Sequence, residues 1–293
     1  MEDYVYRLDG DRALSTPAAG GPWDKTLQHG SAPSSLIVAV AEAVPSRDPM
    51  RVARLSVDLM RPVPVAPLDI RTTIVREGRK IQLCQIDLGA GGVLVGRGGV
   101  LNLRRTPPEL PPEGPAEPVT LPPPDRGHIA QGKIMANPFI SRVEMSVVKG
   151  GFNIPGPGAV WFRVHKPIID GRPTSPAMRA VIAADFCNGA SAVLDFSAWT
   201  FLNGDLTVSL ARDPVGDWVL LDAETWLGRR RARFCPPCRP ERLFRPCSPD
   251  NPRRAESEGR LIPLCCRNAR QPCTQGAGEL TCCGLKIGRE RGT

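Results

Sequence analysis

Asp185 is the residue best placed for chemistry. It closes the run Ala180-Val-Ile-Ala-Ala184, whose apolar surroundings would raise a carboxyl pKa and make it a base toward water. The alternative is a solvent-facing carboxylate at a helix end, although a negative charge there opposes the helix dipole. Asp205 and Thr207 stand two apart, on one side of a strand, where both could face that helix end. Asn188 and Gly189 follow the Asp and either shape the turn that presents it or simply stop the helix. The Gly-x-Ser-x-Gly pattern is absent, which disfavours a serine nucleophile and leaves carboxylate-activated water as the economical option. His29 precedes an earlier helix; with three His in the chain and no Ser or Cys partner marked by spacing, it reads as structural.

The elements that must position these residues come in two sets. Thr106 to Gly127 holds nine Pro in 22 residues and predicts an extended connector. Before it, residues 52–61, 68–75, 81–88 and 93–103 alternate apolar with polar and predict four strands. Glu77-Gly-Arg79 and Gly89-Ala-Gly-Gly92 supply hairpin turns. Ser31 to Val44 predicts a buried helix of about three turns, with Ser31 as cap and Pro33 in the first turn. After the connector, Thr174 to Asp185 opens with a polar residue and Pro176 and then turns apolar in the same way. Glu42 follows Pro33 by nine positions, and Asp185 follows Pro176 by nine. Leu55-Ser-Val-Asp-Leu-Met-Arg61 matches Leu206-Thr-Val-Ser-Leu-Ala-Arg212 at four of seven positions. The expectation is a duplicated unit, each copy a buried helix wrapped by an antiparallel sheet.

Three segments carry a family likeness: Gly156-Pro-Gly-Ala-Val-Trp-Phe-Arg163, Ala183-Ala-Asp-Phe-Cys-Asn-Gly189, and Asn203-Gly-Asp-Leu-Thr-Val208 followed by Asp217 to Gly228. With the doubled helix and sheet, residues 1–227 resemble the double hotdog acyl-CoA thioesterases of the type II, medium-chain kind. The resemblance implies an α+β double hotdog: a first domain over 1–105, the linker over 106–127, and a second, incomplete domain over 128–228. It implies hydrolysis of fatty acyl-CoA to free acid and CoA, with no metal or redox cofactor and acyl-CoA as the partner. In that family an Asp ending the second helix works with a Thr or Ser and a Gln to hold the attacking water. Asp185 falls on that Asp; Thr207 is the first choice for the second member and Asn203 the second, while a backbone N–H near a helix start would serve the oxyanion. Glu42 takes the Asp place in the first copy, as a vestigial site or a solvated helix end. The family's Gln lies on the last strand of the second copy. Here the chain reads Arg229-Arg-Arg-Ala-Arg-Phe-Cys-Pro-Pro-Cys238, and neither Gln271 nor Gln275 stands in a matching context.

Composition breaks at the same place. Residues 1–227 hold 23 basic and 24 acidic side chains, whereas 228–293 hold 15 and 6, and eight of the ten Cys lie from Cys235 onward. Cys235-Pro-Pro-Cys238 is a lone C-x-x-C knuckle with no His in the tail, which weighs against a zinc site. Aromatics are nearly absent there, which weighs against specific nucleic-acid binding. Arg, Pro, Cys and Gly enrichment starting abruptly inside an expected strand reads as a frameshifted replacement of the native terminus, disordered from 229 to 293. Translating the gene's other frames tests this: one of them should restore alternating strands with a Gln. The opening Met1-Glu-Asp-Tyr4 has neither a basic start nor an apolar stretch, so the expected compartment is the cytoplasm, with no membrane span. Assembly of copies through hotdog sheets is a further expectation. Three rivals remain: a metal or nucleic-acid binder acting through the tail, an inactive acyl-binding hotdog, and a hotdog hydratase or dehydratase. The last of these, with its usual Asp and His pairing, would need His128 or His165, the two His in that half.

Overall fold

The computed structural model describes residues 3–105, 120–152, 154–196, 199–227, 242–246 and 264–267. The chain begins with a hairpin, β1 (Tyr6–Asp9) and β2 (Arg12–Ser15), which the periodicity did not single out. Helix α1 (Ser31–Glu42) follows, then β3 (Met50–Asp58), β4 (Leu68–Glu77), β5 (Ile81–Ala90) and β6 (Val93–Arg104), all within three residues of the predicted bounds at each end. The second half contains β7 (His128–Ile129), β8 (Val143–Lys149), β9 (Gly158–Val164), α2 (Pro176–Asp185) and the short α3 (Cys187–Ala190). It continues with β10 (Trp199–Asn203), β11 (Asp205–Ser209) and β12 (Trp218–Leu227). Two strands of the tail, β13 (Arg242–Pro246) and β14 (Leu264–Arg267), complete the description. This is an α+β hotdog arrangement in two copies, each with a helix lying against an antiparallel sheet.

Helix α1 is buried along almost its whole length, from Ser31 through Ala39 and at Ala41. Its small residues let sheet and helix approach closely. A Cβ on Gly98 of β6 would lie 2.5 Å from Ile37 Cγ2, so this strand passes over the helix only because position 98 has no side chain. Burying Leu36, Ile37 and Val38 contributes about 1.5–3 kcal/mol each. Helix α2 starts as its sequence dictates: Ser175 Oγ accepts from Met178 N at 3.1 Å and Pro176 takes the first position. Helix α1 departs from expectation. Its cap is Gly30, with no side-chain cap bond, and Ser31 sits inside the first turn with its hydroxyl committed elsewhere. The helices run antiparallel, so that Ser31 at the start of α1 meets Ile182 and Asp185 at the end of α2.

The sheets show how far the duplication goes. The order of the larger sheet is β1-β2-β4-β5-β6-β3-β11. Strand β11 therefore belongs to the second half by sequence and to the first half's sheet by pairing, with Leu206 opposite Val57 and Val208 opposite Leu55. The segments that match in sequence pair with each other, as a two-fold relation between copies requires. A second, five-stranded sheet has the order β14-β12-β9-β8-β7, and β10 and β13 form a separate pair. Strand β12 corresponds to β4, and β14 pairs with it antiparallel as β5 pairs with β4. Among the described residues no strand takes the place of β6 between β14 and β11, so the two sheets do not join there. Residues 242–246 pair with β10 instead. The expectation of a disordered tail thus differs from the structure at β13 and β14; its remaining residues, like most of the linker, lie outside the described ones.

Candidate active site

Asp185 ends α2 and is 5% exposed. Its carboxylate is met from both halves of the chain. Asn203, the last residue of β10, donates from Nδ2 to Oδ1 at 2.5 Å. Ser31 donates from Oγ to Oδ2 at 2.9 Å, and His29 Nδ1 stands 3.1 Å from the same oxygen. Ser31 N also points at His29 Nδ1, at 3.2 Å. One ring nitrogen cannot serve both, because the first contact needs a proton on it and the second a lone pair. A lone pair facing an ionised oxygen in a buried site is repulsive, so the proton lies on Nδ1 and is donated to Asp185. The ring is held flat by Phe139, stacked at 5.0 Å between centroids, and by Phe186 at 4.8 Å.

The expectation of a raised pKa for Asp185 is corrected by these donors. Burial does push it upward, but the hydrogen bond and charge of His29, then Asn203 and Ser31, outweigh that and hold it below the ordinary carboxylate value. The group is ionised and anchored. Oδ2 has both lone pairs engaged, whereas Oδ1 accepts one side-chain bond and keeps room for one more donor. Gly30 is glycine for a local reason: a Cβ there would lie 2.8 and 2.9 Å from the two carboxylate oxygens.

Asn188 fixes the orientation of Asn203. Its Nδ2 donates to Asn203 Oδ1 at 2.7 Å, which leaves the Asn203 NH2 to face Asp185. Asn188 is thereby more than a helix stop, and Gly189 lines the same cavity. Thr207 is not brought to this cluster. Its neighbours Leu206 and Val208 turn inward, so Thr207 lies on the other face of β11, with its hydroxyl 3.1 Å from that of Ser56. Asp205 shares that side of the strand, half-buried, opposite Asp58 in the register. The hydroxyl that reaches Asp185 is Ser31. His128 and His165 do not line the cavity, and the His at Asp185 is His29 of the first half. Glu42, at the far end of α1, meets Ser175 at the start of α2. Glu42 as a residue is exposed, but packing of its carboxyl against the start of α2 costs it solvation and pushes it up, with Ser175 lowering it, Asp213 raising it and Arg105 lowering it by lesser amounts.

A cavity of about 480 Å³ opens beside Asp185. His29, Gly30, Asn188 and Asn203 line it with Asp185, and Met135, Ile140, Met145, Phe152 and Phe186 form apolar walls. Its size and its few convergent polar groups are those of a small-molecule site. Among the described residues no group of His, Cys, Asp or Glu could hold a metal ion, and no helix is long and apolar enough to cross a membrane.

Known proteins place the chain. Residues 19–102 match the model of the acyl-CoA thioesterase N-terminal domain, and residues 109–232 match that of the acyl-CoA thioesterase C-terminal domain. The chain belongs to the acyl-CoA thioesterase family. The second match ends close to Gly228, where the composition changes. No curated protein matches the chain. Its fold is similar to that of a conserved hot dog protein of unknown function from Alicyclobacillus acidocaldarius, at 14% identity and a TM-score of 0.59 over 90% of this chain and 94% of that one. A candidate thioesterase II from Thermobifida fusca YX is similar at 15% identity and 0.59, over 92% and 96% of the two chains. A candidate thioesterase from Novosphingobium aromaticivorans DSM 12444 is similar at 18% and 0.59, over 89% and 95%. At these identities the likeness concerns the fold.

Proposed function

We propose that this chain hydrolyses fatty acyl-CoA to the free acid and CoA, with Asp185 and Asn203 holding the attacking water. The observation that carries the reading is a buried, ionised carboxylate with one acceptor position left, facing an apolar cavity. Water donating to Oδ1 has its oxygen lone pair free to attack the thioester carbonyl. As the new C–O bond forms, one water proton passes to the carboxylate, and the tetrahedral oxyanion takes a backbone N–H from Gly30 at the start of α1. Collapse breaks the C–S bond, and the proton leaves with the CoA sulfur. A low pKa makes Asp185 a modest base and a strong orienting acceptor, so positioning carries more of the effect than basicity. Ser31 replaces Thr207 as the hydroxyl of the set, with Asn203 as the amide.

A second reading is favoured by one contact. Hydration of a 2-enoyl thioester uses an Asp and His pair, and His29 stands 3.1 Å from Asp185. In that reaction water adds at C3 and a proton is delivered to C2, while the C–S bond stays intact. Products separate the two. Hydrolysis of a saturated acyl-CoA releases a thiol that reacts with a chromogenic disulfide, whereas hydration of a 2-enoyl-CoA yields a 3-hydroxyacyl-CoA without thiol release. Thiol release from the saturated substrate is the expected result; hydration alone would overturn the hydrolase reading. Binding without turnover of either substrate would leave an acyl-binding protein. A cytoplasmic location and a role in fatty acid metabolism belong to the same proposal.

A further inference from the structure

The cavity has a mouth as well as a floor. Trp23, Met60, Ile134 and Leu202 line it and are exposed, and together they form an apolar rim. Among the described lining residues Arg61 is the one Lys or Arg, and it is exposed. Its backbone is fixed from two sides. Arg61 N donates to Val95 O at 3.2 Å, and two residues on Val63 O accepts from Gln28 N at 2.8 Å, beside His29. No ion pair involving Arg61 is formed among the described residues. The acid on the same rim, Asp24, is turned into its own loop, with Oδ1 accepting from Thr26 N at 2.8 Å and from Thr26 Oγ1 at 2.6 Å.

We infer that Arg61 is a phosphate-binding residue at the mouth, taking an anionic phosphate of the thiol carrier while the acyl group occupies the apolar interior. The inference rests on the acyl-CoA reading and names the part of that substrate which the site has so far left unbound. A guanidinium presents several N–H donors to phosphate oxygens, and on an apolar rim its charge is screened less than on an open surface. Its contribution goes to ground-state and transition-state binding alike, because the phosphates lie far from the reacting carbonyl.

The test is calorimetric titration of the full chain with CoA, 3′-dephospho-CoA, 4′-phosphopantetheine and pantetheine, for the wild type and Arg61→Gln. Wild-type protein should bind CoA more tightly than pantetheine, and Arg61→Gln should remove about tenfold of that preference while leaving pantetheine unchanged. The ligand at which the preference first vanishes identifies the phosphate, and added salt should weaken the wild type more than the variant. Arg61→Lys should restore part of the loss. Equal loss for pantetheine and CoA, or no loss at all, overturns the proposal. These titrations require no turnover, so a failure of hydrolysis would be seen separately in the thiol-release assay.

Discussion

At the scale of single residues, the site is governed by how three donors share one carboxylate. His29, Ser31 and Asn203 keep Asp185 ionised in spite of its burial. The folded pKa therefore lies below the unfolded value of about 3.9. The stabilisation from this group is fully present above that value and is lost as pH falls through the folded pKa. Denaturant midpoints of wild type and Asp185→Asn should differ by a constant amount above about pH 5 and converge in stronger acid. A difference that grows with acidity would mean the pKa is raised. Gly30→Ala places a methyl group 2.8 Å from the carboxylate; we expect a loss of about 1–3 kcal/mol in stability and a displaced Asp185, read as reduced turnover. Asp185 was legible in the sequence because it closes an apolar helical run, whereas Asn203 entered through the family resemblance, as second choice to Thr207. Ser31 and His29 were not legible, since they lie more than 150 positions before the residue they hold. A signal existed in the repeat itself: two copies of a helix packed antiparallel put the start of each beside the end of the other.

At the scale of elements, alternation and turn residues gave β3 to β6 their positions, and an apolar run behind a proline gave α1 and α2 theirs. What alternation could not fix was the face of β11. Residues 205–209 alternate, but the inward set is Leu206 and Val208, which seats Thr207 against Ser56 instead of Asp185. The apolar residues decide which side turns inward, and a polar pair two apart then follows them outward. Helix and sheet also constrain each other at Gly98, where any side chain would enter the space of Ile37. Gly98→Val should lower the thermal midpoint by several degrees, corresponding to about 1–3 kcal/mol, as scanning calorimetry would show. An unchanged midpoint would mean that β6 does not pass so close to α1.

At the scale of the whole molecule, neither half makes the site alone. The second half supplies Asp185 and Asn203, and the first supplies Ser31 and His29, so the proposed catalysis depends on the docking of one helix against the other. The duplication was readable from Pro33 and Pro176 and from the matched strands, while the departure of the tail was readable as a change of composition inside an expected strand and as the want of a Gln in a matching context. In the structure that change coincides with the place between β14 and β11 that no strand fills among the described residues. Unpaired strand edges invite association. Removing residues 228–293 would take β13 and β14 away from β10 and β12, and light scattering of the shortened chain should exceed that of the full one. The central claim, a water held by Asp185 that cleaves a thioester, is tested most directly by the turnover of a saturated acyl-CoA by Asp185→Asn, with circular dichroism to show the fold retained. A fall in kcat of about 100-fold or more with KM nearly unchanged is the result this account requires. Turnover within a few fold of wild type would contradict it.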